Sequence, residues 1–313
     1  MDDRKRKKAV RFRVGACMFA VLLLSVLPQS VRAQGYYRDP YQRLCPVLDV
    51  PYRTFQGVEI RHTMAADSQT EGWGDSVSVT DVNLWGRWAS LENDYGGELE
   101  IRGHLDFRIL EGFAAASGMD RLHTLGMARV GVIWHQRFLG GVGMQLRAFP
   151  GLYGALDRPD SDVFGVPFGG TMIYAFTPDV ALFGGLDVYP GFGVGVDPVL
   201  GVVYSYLDTL RLQFAYPETE LRWSPFASGL STSLGATFAR WPEYSLGKGD
   251  ERDRMRMMEN RFSAGLSWET RSGTEVAIRG GYVQGRRVRF DGDAPGVTLD
   301  DSPFVMIGFS GLL

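Results

Sequence analysis

His104 and Asp106 are the one pair in this chain whose types and spacing suit general acid–base chemistry. A carboxylate beside an imidazole can fix its tautomer and support it as a base. Residues two apart on a strand point the same way, so the pair shares a face. A nucleophile is missing from its neighbourhood, however. Two polar residues at this spacing also arise wherever a strand has a wet face. The expectation is a hydrogen-bonded pair facing a polar interior, with no catalytic residue assigned.

Other chemistries have less to stand on. The histidines His62, His104, His123 and His135 lack zinc-ligand spacing. Gly191, Gly193 and Gly195 alternate and precede no helix, so they make no phosphate cradle. Asp157, Asp160, Asp162, Asp291, Asp293, Asp300 and Asp301 are of the type that binds calcium, but EF-hand spacing is lacking. They read as solvated loops, and no metal or cofactor is expected.

The strand that must carry His104 and Asp106 is the clearest element in the sequence. In Glu98–Arg108, Leu99, Ile101, Leu105 and Phe107 alternate with Glu98, Glu100, Arg102, His104, Asp106 and Arg108. A period of two gives a strand with one oily face and one wet face. A strand crossing a membrane in a barrel needs this over about ten residues. The same alternation recurs in 210–216, 258–269 and 302–313. Val77 and Val79 stand out of phase with Val82, Leu84 and Trp88, which predicts a bulge near Thr80–Asp81.

Thirteen strand-like stretches are expected: 55–65, 76–90, 98–109, 122–136, 138–149, 167–176, 180–189, 199–207, 210–224, 228–241, 258–269, 274–290 and 302–313. Short connections such as Thr177-Pro178-Asp179 alternate with long polar ones such as 157–166, 242–257 and 291–301. Outer-membrane barrels have short periplasmic turns and long external loops. Lys248–Met258, with charges and three methionines, reads as a mobile external loop. Aromatics near strand ends, such as Trp85, Trp88, Tyr216, Trp223 and Tyr282, fit interfacial girdles.

The N-terminus gives the compartment. Arg4 to Arg13 is basic, Val14 to Leu27 is apolar, and Val31-Arg32-Ala33 fits a cleavage site, which together read as a secretory signal peptide over 1–33. Its removal takes away eight basic and two acidic side chains, so the net charge of −3 becomes −9. Such an acidic chain lacks the basic surface that nucleic acid needs. Only Cys45 remains, so the mature chain can form no internal disulfide. Residues 34–54 read as a tail and 55–313 as the barrel. Glycine is abundant, 40 of 313 residues, which suits tight packing in a curved sheet.

The segments Tyr216-Pro217-Glu218-Thr219-Glu220-Leu221-Arg222-Trp223, Gly280-Gly281-Tyr282-Val283-Gln284-Gly285-Arg286 and Arg289-Phe290-Asp291 resemble an uncharacterised bacterial family of outer-membrane β-barrels, a domain of unknown function. The resemblance covers about residues 200–313. It implies a barrel and a location, and brings no activity and no assigned residues. The chain departs from many barrels in ending on Leu313 with Phe309 four residues before it.

The sequence therefore predicts an all-β, antiparallel transmembrane barrel of about 12 strands (10–14) in the cell outer membrane. Its expected partners are outer-membrane lipids, periplasmic chaperones and the barrel-assembly machinery. Even strand numbers are usual, so one stretch either splits in two or belongs to an inward loop. His104, Asp106, Arg222, Arg261, Glu275, Arg279, Arg287 and Arg289 are the candidate lumen charges, expected to pair across strands. The role expected is structural or porin-like transport. The alternatives are a barrel hydrolase using His104 and Asp106, and a soluble periplasmic binding module.

Overall fold

The computed structural model describes residues 56–63, 78–92, 97–111, 124–156, 163–177, 179–190, 195–206, 209–225, 229–240, 244–246, 254–270, 274–290 and 296–311. The signal-peptide and tail readings, Cys45, His123 and the aspartates 157, 160, 162, 291 and 293 lie outside them. The described residues of the unit Arg38–Leu312 are almost entirely strand.

In chain order the strands are β1 (Gln56–Thr63), β2 (Ser78–Glu92), β3 (Gly97–Glu111), β4 (Thr124–Arg137), β5 (Val142–Ala148), β6 (Gly151–Ala155), β7 (Phe164–Gly165), β8 (Phe168–Thr177) and β9 (Val180–Tyr189). Next come β10 (Gly195–Tyr206), β11 (Leu210–Tyr216), β12 (Glu218–Trp223), β13 (Leu230–Arg240), β14 (Tyr244–Ser245), β15 (Arg254–Glu269), β16 (Glu275–Phe290), β17 (Val297–Leu299) and β18 (Ser302–Gly311).

Successive strands pair antiparallel and β18 returns to β1, so the sheet closes. Closure removes the edges that an open sheet would leave unpaired in hydrocarbon. Some strands are halves of one stave. β5 and β6 both lie along β4, interrupted at Phe149-Pro150, and β7 and β8 line them in turn. β17 and β18 share β16 in the same way. The described ring then runs β1, β2, β3, β4, β5/β6, β7/β8, β9, β10, β11, β12, β13, β15, β16 and β17/β18, which is fourteen staves within the expected range. The extra stave comes from 210–224. Its alternation reads as one strand, yet it folds back at Pro217, so Gln213 lies opposite Glu220. Proline cannot donate to a ladder, and a hairpin tip is where that costs least. Both 167–176 and 180–189 are wall strands and not inward loops.

The connections segregate by length. At one end lie 93–96, 138–141, 178–179, 207–209, 224–229 and 270–274, with the start of β1 and the end of β18. At the other lie 64–77, 112–123, 156–163, 190–194, 241–253 and 291–296, together with the tight turn at Pro217; four of these are longer than any at the first end, while 190–194 and 291–296 are of similar length to the longest there.

The outward face is apolar. Leu182, Leu200, Phe214, Leu234, Leu266, Ile278, Ile307 and Phe309 are all exposed. Such a belt around a closed sheet is a surface for lipid. On β3 the buried residues Glu100, Arg102, His104, Arg108 and Leu110 are the even ones, as the alternation predicts. The bulge expected near Thr80–Asp81 is absent there, because the register runs evenly through Thr80↔Ile109 and Asp81↔Arg108. The shift falls instead between Arg87 and Ala89, where the Trp88 ring lies over Gly103 and covers the glycine's missing side chain. Val79 stands out of phase because the lumen it faces is apolar at that level.

Candidate functional site: a lumen packed from both sides

Inward-facing side chains form two layers. The first lies towards the long-loop end. Val79, Leu110, Leu125, Met127, Tyr153, Met255, Met257, Val288, Phe290 and Leu299 make one buried apolar cluster with Tyr244 and Leu246. Apart from the last two, these come from β2, β3, β4, β6, β15, β16 and β17, one continuous arc of the ring whose ends are β6 and β15. β14 joins them: Tyr244 pairs with Met255 of β15, and Ser245 pairs in parallel with Gly154 of β6. Six staves separate β6 from β15 in either direction around the ring. A segment laddered to both therefore crosses the lumen between them and closes that arc of the ring over the apolar cluster. Gly154 permits this approach, since a Cβ there would stand 2.8 Å from Val163 and 3.2 Å from the Ser245 carbonyl oxygen. Met255 and Met257 correct the reading of Lys248–Met258 as a mobile loop. Arg254–Met258 is the first part of β15, and both methionines are fully buried. Methionine's flexible, polarisable side chain suits an irregular plug.

The second layer is ionic. The Arg108 guanidinium donates to both Asp81 carboxylate oxygens, at 2.5 and 3.2 Å, and to the Met257 sulfur at 2.6 Å. It also stands 3.8 Å from Glu259. Glu259 accepts from Arg261 and lies 3.5 Å from Arg286 Nε, while Arg286 Nη2 donates to Ser302 at 3.0 Å. Three arginines thus converge on Glu259, with Asp81 balancing Arg108. Arg108 comes from β3 and Glu259 from β15, so this contact also spans the lumen. Burial this deep demands pairing, because an uncompensated charge in low dielectric costs several kcal/mol. Smaller bridges line the rest of the wall: Arg102 with Glu100, Arg87 with Glu100 at 3.4 Å, Arg147 with Asp187 at 2.7 Å, Arg222 with Glu275 at 3.0 Å and Arg279 with Glu220 at 3.5 Å. Arg147 reaches Asp187 over Gly169, where any Cβ would collide with the Asp187 carboxylate.

The candidate lumen charges fall into two groups. His104 is buried, its ring edge-on to Phe149 at 6.0 Å, and Asp106 stands 3.6 Å from Arg129. Arg222, Arg261, Glu275 and Arg279 face inward in the bridges above. Arg287 and Arg289 do not: both are exposed on the outward face, and Arg286 is the buried neighbour. The cause is local. Gly285 takes φ +60° and the β15–β16 register slips between Met258 and Asn260, so the parity of β16 inverts beyond it. Glu259, Asp81, Arg147 and Asp187 were not singled out from sequence. Their signal was present as alternation, but which charges meet depends on which staves face each other. Among the described residues no cluster of His, Cys, Asp and Glu could hold a metal ion.

No family model and no curated protein matches this chain. Solved structures similar to it include the COG4313 outer membrane channel from Pseudomonas putida F1, at 11% identity and TM-score 0.41, covering 82% of this chain and 96% of that one. LpxR from Salmonella typhimurium is similar at 10% identity and TM-score 0.37, covering 82% and 100%. OccK5 (OpdH) of Pseudomonas aeruginosa follows at 9% identity and TM-score 0.29, covering 82% and 97%. By its closed ladder and apolar outer belt, the chain is a transmembrane β-barrel of the outer-membrane type.

Proposed function

We propose that this protein is a non-catalytic, transport-like barrel of the cell outer membrane whose resting lumen is closed. The observation that carries this reading is β14, laddered to β6 and β15 across the lumen and set in an apolar cluster. Below it, Arg108 of β3 and Glu259 of β15 meet across the four staves that separate them. A solute or ion crossing the barrel has to displace both layers, so passage is gated and not porin-like. Catalysis is no part of this reading: His104 and Asp106 are engaged with Phe149 and Arg129 inside the packed wall.

The test is conductance in planar bilayers of the full chain and of a variant with 241–253 replaced by a short Gly-Ser link. The unaltered protein is expected to be silent and the variant to open in discrete steps. Steady conductance from the unaltered protein would sink the closed-lumen reading. A His104→Ala/Asp106→Ala variant is expected to keep the behaviour of its parent.

A further inference from the structure

We propose that the outward end of β16, beside β15, forms a docking site for the phosphate groups of an outer-leaflet glycolipid. The argument starts from the outward face of β16. From the short-turn end it reads Val276, Ile278 and Tyr282, all exposed, then Gln284. At Gly285 the parity inverts, and the exposed residues that follow are Arg287 and Arg289. β15 beside it reads Trp268, Leu266 and Phe262, all exposed, then Asn260, Met258 and Arg256. While β15 ends in the half-buried Arg256, β16 passes from hydrocarbon-type side chains through an amphipathic step to exposed arginines. That is the polarity profile met on passing from acyl chains to an anionic headgroup.

The second observation is the register. Arg289 stands directly opposite Arg256, and Arg287 opposite Met258 on one side and Thr298 on the other. Among the described residues neither Arg287 nor Arg289 has an ion pair or hydrogen bond. Asp301 is turned to the Gly285 amide, from which it accepts at 3.0 Å. Arg256 itself is turned in towards β10, with its Nε and Nη2 buried and its Nη1 3.1 Å from where a Gly195 Cβ would stand, so the exposed cations are Arg287 and Arg289. Two forked guanidiniums two residues apart offer parallel donors of the kind that grip phosphate. The rim lies at the end bearing the long loops, which in barrels of this type is the outer-leaflet side. The phosphate groups at that surface belong to glycolipids of the lipid A kind.

The test uses the full chain in dodecyl maltoside micelles, titrated with diphosphoryl lipid A, with a fully dephosphorylated lipid A, and with sodium pyrophosphate as competitor. The unaltered protein is expected to bind the diphosphoryl form at least about tenfold more tightly than the dephosphorylated form, as two charge-assisted contacts imply. Arg287→Ala/Arg289→Ala is expected to lose that preference, Arg287→Lys/Arg289→Lys to keep part of it, and Gln284→Ala to keep it all. Heat-modifiable gel mobility verifies that each variant is folded. Equal binding by the unaltered protein and the double alanine variant overturns the proposal. Complete displacement by millimolar pyrophosphate would also overturn it, since it would mark a free-anion site without headgroup recognition. If the alanine variant fails to fold, the preference of the unaltered protein and its fall in 0.5 M NaCl decide the matter.

Discussion

Replacing Glu259 by Gln keeps shape and removes one charge from the centre of the ionic layer. Glu259 is 3% exposed, as is Arg108, and Arg286 is 1% exposed, so solvent screens this cluster very little. Asp81 still holds Arg108 through two donors. The loss therefore falls on Arg286 and Arg261, whose carboxylate partner is Glu259. Removing one member of a buried pair costs roughly 3–5 kcal/mol. Because Arg261 is 16% exposed and gains some hydration, the lower end applies, about 3 kcal/mol, or roughly a hundredfold in the folded-to-unfolded ratio. The assay is urea unfolding in lipid bilayers, followed by tryptophan fluorescence. A Glu259→Gln/Arg286→Gln double variant is expected to recover at least about 1 kcal/mol, because the stranded cation is gone. A change under about 0.5 kcal/mol for Glu259→Gln would refute the claim that this carboxylate anchors the layer.

Three further perturbations separate the other elements. Gly169→Ala is expected to cost about 1–3 kcal/mol, since its Cβ would meet the Asp187 carboxylate bridged to Arg147, whereas Gly184→Ala, with nothing within 4 Å of its Cβ, is expected to be within about 0.5 kcal/mol of neutral; both are read by unfolding midpoints. Leu266→Arg and Ile278→Arg place a charge in the outer belt and are expected to cost about 2–4 kcal/mol in bilayers, with a smaller cost for the same change nearer the rim, which bilayer unfolding measures. Met257→Ala opens a cavity in the apolar layer and is expected to cost about 2–5 kcal/mol, with single-channel openings appearing more often than in the unaltered protein.

Much of the wall was legible in the sequence because a two-residue period needs only local information. Glu98–Arg108 gives both faces of β3 correctly, and the spans 167–176 and 180–189 match β8 and β9 closely. What was not legible depends on three-dimensional pairing or on single special residues. The Val79 phase change looks like a bulge until the lumen is seen to be apolar there. Met255 and Met257 look like loop residues because Arg254, Arg256 and Glu259 surround them in sequence, yet both methionines face inward and are fully buried. Arg287 and Arg289 read as lumen charges by continuing the parity of β16, and only the φ of Gly285 turns them outward. The hairpin at Pro217 passed for a continuous strand because the apolar pattern resumes at Leu221.

The central claim is that β16 crosses a membrane with lipid on one face and, over its long-loop half, a packed lumen on the other. A nitroxide scan of residues 275–290 in bilayers tests it, using molecular oxygen as the lipid-soluble relaxer and a nickel chelate as the aqueous one. The account predicts oxygen access at 276, 278 and 282 and access to neither reagent at 283. Beyond Gly285 the phase inverts, with nickel access at 287 and 289 and none at 286 and 288. Nickel access at 283, 286 and 288 would mean a water-filled channel, and nickel access at 276, 278 and 282 would mean that no membrane surrounds the barrel.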